Sequence, residues 1–161
     1  MTHEGVFCDT SFFIRLLDIS SPLHDNAKGY FRYLTENDFV LFISTIAIAE
    51  YCAGGDFHKL PLNNLQIIPF NLNHARRAGE FAKIVFLYRK SENFKVNNRN
   101  IIPNDTKMFA QADCEEQVKY YLTSDTDSLN IYNLLKETTT PKFQFIDLNT
   151  PYSQTFGTLG L

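Results

Sequence analysis

Short apolar runs recur along the chain, separated by stretches whose apolar residues return every three or four positions. Val6, Phe7 and Cys8 predict a strand over 5–8. Asp9, Thr10 and Ser11 then offer caps for a helix through Phe12, Phe13, Leu16 and Leu17. Ser21-Pro22 predicts the start of a second helix, continued by Ala27, Tyr30, Phe31 and Leu34 at helical spacing. The continuous run 39–43 reads as a buried strand. Ser44 or Thr45 caps a third helix bearing Ile46, Ala49 and Ala53, which Gly54-Gly55 ends. Residues 65–70 predict a strand, and Pro69 assigns it to a sheet edge. A long helix follows over 72–90, with Ala75, Ala78, Ala82, Val85 and Phe86 on its core face. The polar stretch 91–100 reads as a loop, 103–118 as a helix, 120–123 as a strand, 128–136 as a short helix and 143–148 as the last strand. Pro151, Gly157 and Gly160 predict irregular structure in the tail, 149–161.

Helices alternating with about five apolar strands argue an α/β fold with a mainly parallel sheet. Such crossovers are right-handed, and ligands of such sheets bind beyond the carboxyl ends of the strands. The 161 residues fit one domain, with a core over about 5–148, and no repeat or linker divides them. Hydrophobic residues make up 44% and charged residues 20%, the balance of a soluble globular protein. Cys8, Cys52 and Cys114 form no CxxC pair and sit among apolar neighbours, which predicts buried, reduced thiols. No apolar run approaches the roughly 18 residues of a membrane span. The first residues lack the features of a signal peptide, so a cytoplasmic protein is expected.

Acidic residues fall where the predicted sheet gathers them. Asp9 and Asp125 follow strands, and Asp127 lies close behind. Glu50 sits on the helix after 39–43, and Asp105 opens the helix before 120–123. Crowded carboxylates raise one another's pKa, so a shared divalent cation is the natural reason for gathering them. All-oxygen ligands suit Mg²⁺ or Mn²⁺ rather than zinc or copper. Singly, Asp9 and Asp125 read more readily as ordinary loop acids capping helices, and only as a set do they point to a metal. Glu50 stands in the apolar stretch Ile46-Ala47-Ile48-Ala49, where an unpaired charge is expensive. The run after Asp125 lacks the later ligand and glycine of a calcium loop. The four histidines have no HxxxH spacing, and no glycine-rich phosphate loop is present.

The segments Asp9-Thr10-Ser11-Phe12-Phe13, Ser44 through Tyr51, Pro103-Asn104-Asp105, Ala110-Gln111-Ala112 and Thr123-Ser124-Asp125-Thr126-Asp127 together resemble the PIN-domain nucleases. They look most like the VapC-type toxins of type II toxin–antitoxin systems. The resemblance spans Gly5 to about Leu148. It implies a three-layer α/β/α domain with a five-stranded parallel sheet, one or two Mg²⁺ or Mn²⁺ ions and endoribonuclease activity. It assigns Asp9, Glu50, Asp105 and Asp125 to the acidic centre and Asp127 to an auxiliary ligand. Ser11 and Thr123 then hydrogen-bond carboxylates or a metal-bound water. The partners it brings into view are RNA, an antitoxin protein and a second copy of the chain.

Net charge is −3, which by itself argues against nucleic acid. Setting the five clustered acids aside leaves 13 acidic against 15 basic residues. Eight of the basic residues lie between Arg76 and Lys107. Within that stretch Arg89, Lys90, Lys95 and Arg99 are the candidates for gripping RNA phosphates. Tyr88, Phe94 and Tyr152 are candidates for stacking on unpaired bases. A non-catalytic PIN-like binding module for RNA or protein is the alternative. A receiver-type phosphotransfer protein ranks lower, because Lys142 precedes the last strand instead of following a late one.

Overall fold

The computed structural model describes residues 3–91 and 104–157. Among them the chain runs β1 (Gly5–Cys8), α1 (Thr10–Leu17), α2 (His24–Glu36), β2 (Val40–Ser44), α3 (Thr45–Cys52), β3 (Leu65–Ile68), α4 (Leu72–Ser91), α5 (Asn104–Cys114), β4 (Val118–Thr123), α6 (Thr126–Thr138), β5 (Gln144–Asp147) and α7 (Tyr152–Thr155). The strands form one five-stranded sheet in the order β3-β2-β1-β4-β5, and every neighbouring pair is parallel. The first strand made is the central one. Val6, Phe7 and Cys8 are wholly buried, which is why β1 is apolar without alternation. As Pro69 predicts, β3 is an edge strand that stops one residue before the proline.

Helices α1, α2 and α3 pack together as one layer, and α4, α5 and α6 as the other. The fold is therefore the three-layer α/β/α arrangement. Phe109 of α5 meets Tyr121 of β4 edge-on at 4.6 Å, and Tyr121 stacks on Phe7 at 5.4 Å. Rings on α5, β4 and β1 thus weld one layer to the sheet. Polar fastenings fix α5 against α4. Arg77 Nε donates to Asp113 Oδ2 at 2.8 Å, while Asp113 Oδ1 accepts the Lys142 N–H at 2.8 Å. The buried ring of His74 reaches Glu115 through Nε2 at 3.0 Å. Because α5 carries Asp105 in its first turn, these contacts also aim that carboxylate.

Several expectations need correction. Helix α5 ends at Cys114, and β4 begins at Val118, earlier than predicted, because Val118 pairs with Gly5. The tail is not irregular throughout. Tyr152–Thr155 form α7, and Phe156 stacks on Tyr33 at 4.9 Å. Tyr30 Oη donates to the Thr150 carbonyl at 2.6 Å. Tyr152 stacks on Tyr33 at 5.1 Å, so it belongs to this aromatic cluster and not to a base-stacking surface. Cys8 is buried, but Cys52 is exposed and Cys114 half-buried.

Candidate metal centre

Asp9 follows β1 directly. Its backbone takes the N-cap conformation of α1, yet its carboxylate does not cap the helix. Oδ2 instead accepts from Ser11 Oγ at 2.8 Å and from Thr123 Oγ1 at 2.7 Å. Each hydroxyl in turn accepts a backbone N–H. Ser124 donates to Ser11 at 2.9 Å and Asp125 to Thr123 at 3.0 Å. The turn after β4 is thereby pinned to the end of β1. Asp9 is 3% exposed. Burial pushes its carboxyl above the ordinary range, against the lowering pull of the two hydroxyls, and the nearby Glu50 charge adds to the rise.

Ser44 caps α3 by accepting the Ile46 N–H at 3.0 Å, which sets the helix that bears Glu50. Glu50 is exposed, so the cost of burial that its apolar neighbours suggest does not arise. Helix α3 turns Ala47 and Tyr51 inward instead. Thr10 Oγ1 donates to Glu50 Oε1 at 2.9 Å. Asp125 caps α6 through Oδ1, which accepts the Asp127 N–H at 2.9 Å. The capping reading therefore holds for Asp125 and fails for Asp9.

Asp105 stands in the first turn of α5. Burial pushes its carboxyl up to about 6, with further rises from the charges of Asp9, Asp125 and Glu50. These four acids therefore share one electrostatic neighbourhood at the carboxyl edge of the sheet. Tyr121 feels the same set: its buried hydroxyl is pushed up by desolvation and then by the same four charges. Asp127 stands apart from that set. It is exposed and lines a groove between α4 and α6 with Val85, Ile131 and Leu134.

The donor chemistry is all oxygen, as Mg²⁺ or Mn²⁺ requires. Among the described residues no three His, Cys, Asp or Glu side chains are drawn tightly enough together to cage an ion. Mg²⁺ usually keeps several waters and takes one or two carboxylates, so an open acidic pocket suits it. In that respect the residues fit the ion.

Of the basic candidates, Arg89 and Lys90 belong to the last turn of α4, and Lys95 and Arg99 lie outside the described residues, as does Phe94. Arg77 is tied to Asp113 and Glu80, so part of the basic stretch serves the fold. Three residues near the acids escaped the sequence reading in this role. Thr10 looked only like a cap, although a hydroxyl between Asp9 and Ser11 was a legible sign. Ser128 and Tyr121 gave no sign, because their placement comes from α6 and β4 meeting α5.

With this geometry in hand, the fold can be compared with known ones. It is the fold of the VapC-like PIN-domain toxins. VapBC2 of Rickettsia felis, solved with a DNA fragment from its promoter, has a similar structure. The TM-score is 0.60 at 15% identity, over 89% of this chain and 98% of that one. VapBC-1 of nontypeable Haemophilus influenzae aligns with a TM-score of 0.57 at 15% identity, over 91% and 99%. VapC20 of Mycobacterium tuberculosis, a toxin that cleaves the sarcin–ricin loop, aligns with a TM-score of 0.52 at 18% identity, over 78% and 93%. No protein-family model and no curated protein sequence matches the chain.

Proposed function

We propose that this chain is a divalent-metal-dependent endoribonuclease that hydrolyses RNA phosphodiester bonds, and that it serves as the toxin of a toxin–antitoxin pair. The observation that most supports the reading is that the charges of Asp9, Asp125 and Glu50 all act on Asp105. A fold can place acids at its sheet edge for capping alone, but Asp9 is buried and Asp105 half-buried, each against its own charge. That arrangement is costly without a cation and useful with one.

A bound Mg²⁺ or Mn²⁺ would neutralise the phosphoryl oxygens and lower the pKa of an attacking water. Asp9, Glu50, Asp105 and Asp125 would hold it, and Asp127 would act from the adjoining groove. Ser11 and Thr123 orient Asp9, and Thr10 orients Glu50, so the carboxylates keep their directions while substrate enters. Arg89, Lys90, Lys95 and Arg99 would grip flanking phosphates. That solved structures of the same fold include VapBC complexes supports an antitoxin partner. The similarity to a loop-cleaving VapC supports an RNA substrate. No helix among the described residues is long and apolar enough to cross a membrane, which agrees with a cytoplasmic site of action.

The test is cleavage of structured RNA by the purified full chain. Activity should require Mg²⁺ or Mn²⁺, vanish with chelator, and be lost in Asp9→Asn and Asp105→Asn. RNA binding without cleavage in either metal would favour the non-catalytic binding module instead.

A further inference from the structure

The hydrogen bonds that tie Asp9, Glu50 and Asp125 each fall on one particular carboxylate oxygen. Asp9 Oδ2 accepts the Ser11 hydroxyl at 2.8 Å and the Thr123 hydroxyl at 2.7 Å. Glu50 Oε1 accepts the Thr10 hydroxyl at 2.9 Å. Asp125 Oδ1 accepts the Asp127 N–H at 2.9 Å. Asp9 is held most firmly. A carboxylate oxygen offers about two lone pairs, and the two hydroxyls fill both on Oδ2. Ser11 Oγ and Thr123 Oγ1 also stand 3.1 Å apart, so one could donate to the other. Each already accepts a backbone N–H, from Ser124 at 2.9 Å and from Asp125 at 3.0 Å, and each has a single proton to give. The ionised carboxylate is the stronger acceptor, so both protons point to Oδ2. Asp9 and Thr123 are buried, which keeps water from taking over either bond.

This division of oxygens bears on which ion the pocket accepts. Mg²⁺ builds its octahedron from one or two carboxylates and several waters. Ca²⁺ gathers roughly 6–8 oxygens, and gripping a carboxylate by both of its oxygens is one of its usual ways of doing so. Asp9 cannot be gripped by both without giving up a buried hydroxyl bond. We propose that Ser11 and Thr123 are positioning residues that set metal specificity: they occupy Asp9 Oδ2, reserve Oδ1 for the ion, and so favour Mg²⁺ or Mn²⁺ over Ca²⁺. Thr10 and the Asp127 N–H act in the same sense on Glu50 and Asp125, more weakly, because one donor leaves a lone pair on the oxygen it engages. The inference rests on the proposed metal site, but not on the RNA that the site would cut.

Crystals of the full chain grown with Mn²⁺ should show Asp9 bound through Oδ1 alone. An ion on Oδ2, on both oxygens, or absent from Asp9 overturns the proposal. In calorimetry with Mg²⁺ or Ca²⁺ as the only ligand, wild type should favour Mg²⁺, and a preference for Ca²⁺ overturns the proposal. Ser11→Ala opens a lone pair on Oδ2 and should lower the preference about 10-fold, the scale of groups that orient metal ligands. Ser11→Thr keeps the hydroxyl and should restore it. Thr123→Val should shift the preference in the same direction and decides the matter if Ser11→Ala does not fold. An unchanged preference, an equal loss of affinity for both ions, or a folded Ser11→Thr that behaves like the alanine variant overturns the specificity role. RNA cleavage is read separately. A protein that discriminates the ions in this way but leaves RNA intact upholds the specificity and ends the nuclease reading. One that cuts RNA while its variants keep the wild-type preference ends the specificity role and leaves the nuclease reading standing.

Discussion

The Thr123 hydroxyl lies 2.7 Å from Asp9 Oδ2 and ties the carboxyl end of β4 to that of β1. The same oxygen accepts the Asp125 N–H at 3.0 Å. Thr123→Val keeps the shape and removes both bonds. It leaves a buried carboxylate short of one donor and the Asp125 N–H without its acceptor. Stability should fall by about 1–3 kcal/mol, read from urea unfolding. RNA cleavage should fall as well, because Asp9 loses one of its two clamps. An unchanged urea midpoint would show that Ser11 alone holds Asp9.

Asp105 makes the metal-free protein prefer acid. Its carboxyl is raised to about 6 in the fold from an ordinary 3.8 in the unfolded chain. Between those values the folded state binds more protons than the unfolded state, so this group's contribution to stability declines as pH rises through the window. Asp105→Asn removes the effect. In chelator the variant should gain stability over wild type at pH 7, on the order of 1–3 kcal/mol, and show little gain at pH 4. Urea titrations at the two pH values decide it. An equal difference at both would mean that the carboxyl is not raised.

Asp113 carries more of the fold than its place at the end of α5 suggests. It is 4% exposed, receives Arg77 on one oxygen and the Lys142 N–H on the other. Asp113→Ala strands both donors and should cost roughly 3–5 kcal/mol. Arg77→Ala should cost less, because it leaves the Lys142 bond intact. Differential scanning calorimetry should rank the two in that order, and the reverse ranking would refute the fastening described here.

Gly29 lies under the Tyr152 ring. A Cβ there would come within 2.9 Å of the ring. Alanine is ordinarily the better helix former, by roughly 1 kcal/mol. Gly29→Ala should nevertheless loosen α7, because Tyr152 must leave its place on Tyr33. Limited proteolysis followed by mass spectrometry should show faster cleavage after Pro151 in the variant. Unaltered protection would mean that the ring shifts without cost.

Much of this was written in the order of residues. The apolar runs marked the strands because β1, β2 and β4 are covered on both faces, and periodicity could find the long helices. The acids at strand ends were legible because a parallel sheet sends those ends to one edge. Burial of Glu50 was misjudged because helix rotation, not neighbouring hydrophobicity, decides which side faces water. The role of Tyr152 was missed because its partners Tyr30 and Tyr33 lie more than a hundred positions earlier, and nothing local links them. Burial, more than mutual repulsion, raises Asp105.

The central position of β1 has a consequence for the order of events on the ribosome. Asp9 emerges well before its partner Thr123, which lies 114 positions later. At 5–20 residues per second, roughly 6–23 s separate the two. Throughout that interval the amino-terminal strand has only its β2 neighbour, and the acidic residue beyond it has no hydroxyl from β4. A chain that stops early would carry half a sheet and no assembled pocket. The acidic pocket can close only after β4 has emerged, and the long reach of that pairing also favours slow folding. On the proposed function, this delay would leave time for a partner to meet the chain before it can cut.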